Sequence, residues 1–171
     1  PAMFNGSASG VEVTLNQGNY DVTEDYVPGY APAFSADCTG ALAVGQTKTC
    51  VVTNTAEAAH LVVIKNVVND NGGTSVAGDF TMTINGVTVP AGASFPGQSG
   101  LGTDRQVLPG TYSVSEAGPS GYAASYSSEC SGTIALGQTK VCTVTNDDIQ
   151  PRLTVTKVVI NNNGGTKSVS D

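Results

Sequence analysis

Three polar residues fall at positions where the alternation of apolar residues predicts side chains that face a protein core. Residues 61–68 read LVVIKNVV, and Lys65 shares a strand face with Leu61 because residues two apart in a strand point the same way. By the same rule, Glu116 and Asn146 lie on the apolar faces of two later strands. The chain has only seven Lys and Arg residues. An inward lysine that shares a core with a carboxyl and an amide therefore indicates a site with its own chemistry.

Burial changes what these three groups can do. Loss of water lowers the pKa of a lysine and raises the pKa of a glutamate, which favours a neutral amine and a carboxylic acid. A neutral amine held beside an amide that the acid polarises can attack the amide carbon and release ammonia. The product is an uncharged amide bond between the two side chains. The alternative is a buried ion pair with the asparagine completing its hydrogen bonds, for which each ion costs several kcal/mol to desolvate.

The residues around this triad are repeated with a shift of 92 residues and no gaps. The segment 38–54, CTGALAVGQTKTCVVTN, matches 130–146, CSGTIALGQTKVCTVTN. Internal repeats of this kind indicate an array of similar modules. The predicted modules are a partial unit that lacks its first strands, a complete unit, and the first strand and hairpin of a further unit. They span 1–57, 61–148 and 153–171, respectively.

Alternating apolar residues and turn signals predict an all-β fold in which each complete module is a small sandwich or a partly open barrel. Asparagine- and glycine-rich stretches such as NDNGG (69–73) are typical of turns between strands. No stretch predicts a helix. The strands of the complete module are predicted near 61–68, 79–89, 105–108, 111–116, 121–128, 133–136 and 140–146.

The four cysteines form two equally spaced pairs, Cys38 with Cys50 and Cys130 with Cys142. The even number and the repeated spacing predict two disulfides and an oxidising, extracellular compartment. Zinc is the competing interpretation, but the chain has one histidine and no closely spaced cysteines. The net charge of −7 argues against nucleic acid and anionic membranes as partners. No apolar run approaches the roughly 20 residues that cross a bilayer.

Three motifs, in order, resemble the first-strand lysine, the glutamate segment and the last-strand asparagine of Cna B-type domains, also called SpaA-like or prealbumin-like domains. These motifs are LVVIKNVVNDNGG (61–73), YSVSEAGPSGY (112–122) and CTVTND (142–147). The resemblance implies tandem sandwich modules, immunoglobulin-like or prealbumin-like, of bacterial surface adhesins and pilins. It implies that Lys65 is the nucleophile, Asn146 the acceptor and Glu116 the acid/base of an intramolecular isopeptide bond. No cofactor or metal is expected, and a bond that forms once is not an enzyme activity.

The partial units carry the remaining members of such a site. Glu24 and Asn54 match the glutamate and the asparagine of the triad, whereas Lys157 matches its lysine. We therefore expect 153–171 of one chain to complete 1–57 of the next by head-to-tail strand addition, with a bond between Lys157 and Asn54. The product would be a cell-surface stalk, pilus-like fibre or filament. The alternative is that the chain is a piece cut from a longer array.

The sequence is also compatible with two other functions. The first is an adhesin module for a glycan or host protein, with a surface formed by Tyr26, Tyr30, Tyr122 and Tyr126. A transthyretin-like carrier of small molecules is the least supported, because it rests on fold analogy. Asp70, Asp147 and Asp148 lie near turns and raise the question of calcium, but their spacing favours ordinary turn chemistry.

Overall fold

The central segment of the chain folds into two four-stranded sheets that face each other, here called the central sandwich. The computed structural model describes residues 2–171. The strands before the sandwich are β1 (Gly18–Asp21), β2 (Tyr30–Phe34), β3 (Thr39–Leu42) and β4 (Val52–Ala56). The strands of the sandwich are β5 (Ala59–Val68), β6 (Thr81–Asn85), β7 (Ser94–Pro96), β8 (Thr103–Val107), β9 (Gly110–Ala117), β10 (Tyr122–Tyr126), β11 (Ser131–Ile134) and β12 (Thr139–Asp148).

The two sheets of the sandwich have the strand orders β10-β12-β5-β8 and β11-β9-β6-β7. Every pair is antiparallel except β5 with β12, the first and last strands of the sandwich, which run parallel. Their register sets Lys65 opposite Val144 and Val67 opposite Asn146. The parallel pair therefore brings two members of the predicted triad onto neighbouring strands.

The core forms because alternate residues of both sheets are apolar. Along β5, Leu61, Val63 and Lys65 are buried, while Val62 and Ile64 between them are only partly covered. Each large apolar side chain that is fully buried stabilises the fold by about 1.5–3 kcal/mol. The facing sheet, with Phe80 directly before β6, supplies the other side of this core, which consists of Phe80, Met82, Ile84, Phe95, Tyr112, Val114 and Ile134.

The all-β prediction is confirmed, and most predicted strands agree with the observed ones within a few residues. The predicted strand 79–89 is wrong at its C-terminal end, because β6 stops at Asn85 and Gly86 takes a positive φ of 89°. Val87 and Val89 still pack against the core from the following loop. The short strand β7 was missed, since three residues that include a proline carry no periodic signal. Three single-turn 3₁₀ helices are the helical elements of the described residues.

The first four strands make two separate two-stranded sheets, β1 with β3 and β2 with β4, here called the N-terminal sheets. They repeat a contact of the central sandwich. The Tyr20 hydroxyl donates to the Asp37 carbonyl at 2.7 Å, and the Tyr112 hydroxyl donates to the Glu129 carbonyl at the same distance. Between residues 2 and 57, however, Cys38 is the one buried hydrophobic residue. The N-terminal sheets therefore have almost no core of their own.

Residues 153–171, here called the C-terminal segment, form no strand, although their apolar alternation resembles that of β5. Leu153 is 88% exposed and Val155 is 82% exposed. The division of the chain into modules at 1–57, 61–148 and 153–171 stays a prediction. Among the described residues, no helix is both long and apolar enough to span a membrane.

Both predicted disulfides are present, Cys38–Cys50 and Cys130–Cys142, each with a sequence separation of 12 residues. The first cysteine of each pair, Cys38 or Cys130, is the last residue of a single-turn 3₁₀ helix. The Cys130–Cys142 bridge joins the start of β11 to β12 and is buried in the core of the sandwich. This bridge therefore restrains the last strand of the sandwich against the strand that precedes it.

Replacing both Cys130 and Cys142 by alanine is expected to lower the unfolding free energy of the central sandwich by about 3 kcal/mol, the loop-closure value for a bridge of this span. Urea unfolding followed by circular dichroism measures the change. The matched control replaces Cys38 and Cys50, which leaves the sandwich core intact and should lower its stability much less. An equal loss in both variants would contradict the assignment of the main core to β5–β12.

Candidate functional site

The three polar residues singled out in the sequence meet between the two sheets of the sandwich. Lys65 lies on β5 and Asn146 on the neighbouring β12, whereas Glu116 lies on β9 of the facing sheet. Lys65 is 0% exposed, Asn146 is 2% exposed and the Glu116 side chain is 7% exposed. Strand alternation explains this placement, because each residue occupies an inward position of its strand.

The Glu116 carboxylate stands between the amine and the amide. Its Oε1 accepts a hydrogen bond from the Asn146 side-chain nitrogen at 2.6 Å, and its Oε2 lies 3.4 Å from Lys65 Nζ. The second contact has the separation of an ion pair but not the angles of a hydrogen bond, so Oε2 has no hydrogen-bond partner. Asn146 Oδ1 is also buried without a partner. One carboxylate therefore contacts both groups. Two oxygens of the site, Glu116 Oε2 and Asn146 Oδ1, remain available to accept a proton.

The amine is confined from two further sides. Lys65 Nζ donates to the Asn66 carbonyl at 2.7 Å and lies 4.2 Å from the centre of the Phe80 ring. At Gly97, a Cβ atom would come within 2.8 Å of Lys65 Cγ, so only glycine lets this backbone close over the lysine stem. Gly118 allows the same close approach of backbone to the Phe80 ring. These contacts hold the amine next to the Glu116 carboxylate.

Phe80, Gly97 and Gly118 were missed as site residues in the sequence. Phe80 falls within the predicted strand 79–89, and neither it nor the two glycines carries a local signal for a site. Tyr126 was noted only as a candidate for a sugar-binding surface. Burial and then the Glu116 charge raise the pKa of its hydroxyl. No local pattern distinguishes such neighbours, because they come together through pairing of distant strands.

Burial lowers the pKa of Lys65 below its usual value of 10.5, and the nearby Glu116 carboxylate opposes this shift only in part. The amine therefore loses its proton more readily than an exposed lysine does. Lys140 provides a contrast within the same sandwich. Its pKa is raised, because its amine contacts the Glu129 carboxylate at 2.8 Å on the surface.

The second predicted site is only partly assembled. Asn54 donates to Glu24 Oε1 at 2.6 Å, the same contact that joins Asn146 to Glu116, but both residues are exposed. Within residues 2–171, no hydrogen bond or ion pair joins Lys157 to either of them. The bond predicted between Lys157 and Asn54 therefore stays a prediction, and in one chain these residues are not brought together.

The acidic residues near the turns have a structural arrangement. Asp70, Asp147 and Asp148 have carboxylate oxygens within 4.8 Å of one another. The buried Asp148 carboxylate accepts hydrogen bonds from the backbone of Asp70 and Asn71 at 3.0 Å and of Gly73 at 2.6 Å. Asp148 therefore fastens the turn after β5 to the end of β12.

The tyrosines considered for a binding surface differ in exposure. Tyr26, Tyr30 and Tyr126 are exposed. Tyr122 packs edge-on against Phe80, with ring centres 5.6 Å apart, and its hydroxyl donates to Asn69. Tyr122 therefore covers the core above the triad and does not contribute an open ring to a sugar-binding surface.

The lowered pKa of Lys65 can be measured in the Asn146→Ala variant, in which no amide is available to the amine. NMR titration of the lysine side chains should show Lys65 losing its proton at lower pH than Lys140. Between the lowered pKa and 10.5 the unfolded chain holds more protons, so the unfolding free energy should rise with pH in that window. A Lys65 that titrates together with Lys140 or after it would contradict the burial argument.

A comparison with protein families agrees with the fold. A family model described as a prealbumin-like fold domain matches residues 56–150, more than half of the chain and all eight strands of the sandwich. A search of curated proteins found no match. Among solved structures, the chain matches the major pilin protein T3.2 of Streptococcus pyogenes serotype GAS13637 at 15% identity, over 79% of this chain and 68% of the pilin, with a TM-score of 0.34. The chain belongs to the SpaA-like, prealbumin-like fold domain family.

Proposed function

We propose that this chain is an extracellular structural module of a surface stalk, pilus-like fibre or filament, locked by an isopeptide bond between Lys65 and Asn146. One observation carries the proposal. A buried amine and a buried amide contact the two oxygens of one carboxylate, at 3.4 Å and 2.6 Å. A lysine at 0% exposure is costly to keep charged, and bond formation removes that cost.

The first step is a proton transfer within the triad. The Lys65 ammonium gives a proton to Glu116 Oε2, which lies 3.4 Å away and has no hydrogen-bond partner. Burial favours both products, the neutral amine and the carboxylic acid, over the two separate charges. The transfer leaves a lone pair on Nζ and an acidic proton on Glu116.

The second step joins the two side chains. Lys65 Nζ attacks Asn146 Cγ while the Glu116 acid donates its proton to the Asn146 carbonyl oxygen. If the Asn146 amide oxygen and nitrogen exchange places, the 2.6 Å contact joins Glu116 Oε1 to the amide oxygen. A half-turn of the Glu116 carboxyl group then moves its O–H from the lysine side to this contact, which becomes an O–H···O bond from acid to amide. That orientation gives the unpartnered Asn146 Oδ1 a donor.

The third step releases ammonia. Glu116 takes a proton from the attacking nitrogen and delivers it to Asn146 Nδ2, and the Cγ–Nδ2 bond breaks. As the C=O bond reforms, the proton on the carbonyl oxygen returns to Glu116, which passes it to the departing ammonia, so ammonium leaves. The new Nζ–Cγ bond is an amide without charge, and Glu116 ends as the carboxylate that it was before the first step. No oxidant, reductant or cofactor is required. Since the site turns over once and the bond is the product, the chemistry is a maturation step and not an enzyme activity.

A bond at this position suits a module that carries tension. Force on a tandem array enters the sandwich at one end of β5 and leaves at the end of β12. A link between Lys65 and Asn146 would pass that force directly from the first strand to the last, so the intervening strands could not unravel. Resistance to pulling depends on the rate of unfolding, which a covalent link between the loaded strands would suppress.

The two disulfides support an extracellular location, because such bonds persist in oxidising compartments. In the same proposal, 61–148 is the complete module, 1–57 lacks its first strands, and 153–171 begins a further module. An adhesin module for a glycan or host protein stays an alternative prediction, to be tested by binding of glycans or host proteins to the purified chain.

Intact mass measurement under reducing conditions tests the bond. The parent chain should weigh about 17 Da less than its sequence requires, the mass of one ammonia per crosslink. The Lys65→Ala variant should have its full calculated mass and melt at a much lower temperature, since the lost link spans a far longer loop than either disulfide. Lys140→Ala, which removes a half-buried lysine paired with Glu129, is the matched control and should keep the deficit.

The Glu116→Ala variant tests whether the bond requires the carboxyl group or only the closeness of the amine and the amide. It retains the amine and the amide but removes the proton carrier, so its mass should equal the calculated value. A full mass in the parent chain, or a deficit that persists in Lys65→Ala, would overturn the proposal. Peptide mapping of the parent chain should recover one branched peptide that joins the segments around Lys65 and Asn146.

A further inference from the structure

We propose that residues 153–162 of one copy of this chain add to the free edge of β4 in a second copy, where Lys157 becomes bonded to Asn54. The inference rests on the proposed function, because it assigns the same chemistry to a second set of residues. The partner is therefore another copy of the chain, and the contact joins two different surfaces. Such a head-to-tail contact repeats from copy to copy, and the product is a filament when the rotation between copies does not close a ring.

The first observation is an unpaired strand edge. In the central sandwich, β12 lies between β10 and the parallel strand β5, whereas β4 pairs only with β2. The match between 38–54 and 130–146 places β4 in the role of β12. The edge that β5 covers in the sandwich is thus open in the N-terminal sheets. Unpaired backbone groups along such an edge are a template for another strand.

The second observation is the fit of the C-terminal segment to that edge. In the sandwich, Lys65 stands opposite Val144 in parallel register. The matching positions set Lys157 opposite Val52 and direct Leu153 and Val155 inward. These two apolar residues are 88% and 82% exposed, although their counterparts on β5 are buried. Strand addition would remove this apolar surface from water, which favours association.

The third observation is the space that such a strand would enter. A cavity of about 630 Å³ lies between the two N-terminal sheets, and its lining includes Val22, Glu24, Phe34 and Cys38. The counterparts of Val22 and Cys38 in the sandwich, Val114 and Cys130, are buried core residues. The cavity is open to solvent, and its lining offers apolar side chains to an incoming strand beside polar ones that include the Glu24 carboxylate.

The second site already holds its acid and its amide. Asn54 contacts Glu24 at 2.6 Å, so the arrival of Lys157 would complete the triad. Burial by the added strand would exclude water and favour the neutral amine. The step balances as before. Lys157 Nζ bonds to Asn54 Cγ, the Cγ–Nδ2 bond breaks, Glu24 relays the proton, and one ammonia leaves.

The joint between the N-terminal sheets and the sandwich supports the same arrangement. Gly29, with a φ of 79°, packs directly on Leu136, and Glu57 connects the two parts through backbone hydrogen bonds to Gly29 at 2.8 Å and from Gly137 at 3.3 Å. A side chain at position 29 would collide with Leu136. A bare glycine is thus part of the joint.

The matching residues of a second joint are present but not in contact within one chain. Gly121 has the same positive φ and open space where a Cβ would stand, and it already accepts a hydrogen bond from Ile149 at 2.8 Å. Val44, the counterpart of Leu136, is 85% exposed. Strand addition would bring Val44 of the second copy onto Gly121 of the first, which repeats the joint found within the chain.

The Asp148 carboxylate of the sandwich has no counterpart in the predicted contact. Introducing one is a gain-of-function test. Asp148 fastens the turn after β5, but its counterpart is Ala56, so the turn formed by residues 161–165 has no carboxylate to accept its N–H groups. An Ala56→Asp substitution should supply that carboxylate and accelerate assembly. The expected change is roughly tenfold, as for one charged hydrogen-bond acceptor.

The experiment uses the purified full chain on a denaturing gel, with intact mass measurement of each band. We expect a ladder of covalent oligomers in which each added copy brings one further loss of about 17 Da. A mixture of ¹⁴N- and ¹⁵N-labelled chains should give branched peptides that contain one label on the Lys157 side and the other on the Asn54 side. Monomer alone, or branched peptides that never mix labels, would overturn the inference.

Variants separate this inference from the bond within the sandwich. Lys157→Ala should abolish the ladder but keep the monomer deficit, whereas the matched control Lys167→Ala should retain both. Lys65→Ala should remove the monomer deficit and still give the ladder. Val44→Asp should slow the ladder roughly tenfold by charging the joint. A ladder that survives Lys157→Ala would show that another residue forms it and would also overturn the inference.

Discussion

The structure of the central sandwich depends on how an amine is accommodated inside a water-free core. Lys65 is fully buried, and a single carboxylate from the facing sheet, Glu116, is the charge that compensates it. Desolvation penalises both ions, and their mutual attraction offsets that penalty only with good geometry. The contacts with Phe80 and Gly97 and the amide of Asn146 complete this geometry. The sheet pairing and the core packing must therefore hold three strands in a narrow register.

The parallel pairing of β5 with β12 provides that register, and it joins residues that are far apart along the chain. Pairing of the first and last strands is entropically expensive because a long loop must close before the contact forms. Three features hold the pair once it has formed. The triad lies at its centre, the Asp148 carboxylate fastens its end to the turn after β5, and the Cys130–Cys142 bridge anchors β12 to β11.

The N-terminal sheets show what the fold lacks without strands equivalent to β5–β8. They retain the disulfide, the tyrosine contact and the Glu24–Asn54 hydrogen bond, all of which the sandwich also contains. They have almost no buried apolar surface, and the glutamate and asparagine are exposed. The strands β5–β8, among them β5 with its inward Leu, Val and Lys, thus separate a closed core from two open hairpin-like sheets. The same polar residues have different electrostatic surroundings in the two settings.

The sequence by itself determined the all-β class, most strands of the sandwich, the disulfide pairs and the inward direction of Lys65, Glu116 and Asn146. These features follow from local periodicity and from repeated spacing, which need no knowledge of the partner strands. Tertiary structure alone decided the end of β6 at Asn85 and the presence of β7. It also decided the contacts of Phe80 and Gly97 with the lysine and the fastening of the turn by Asp148. Those features depend on the pairing of strands distant in sequence, where packing and hydrogen bonding across the core override local preference.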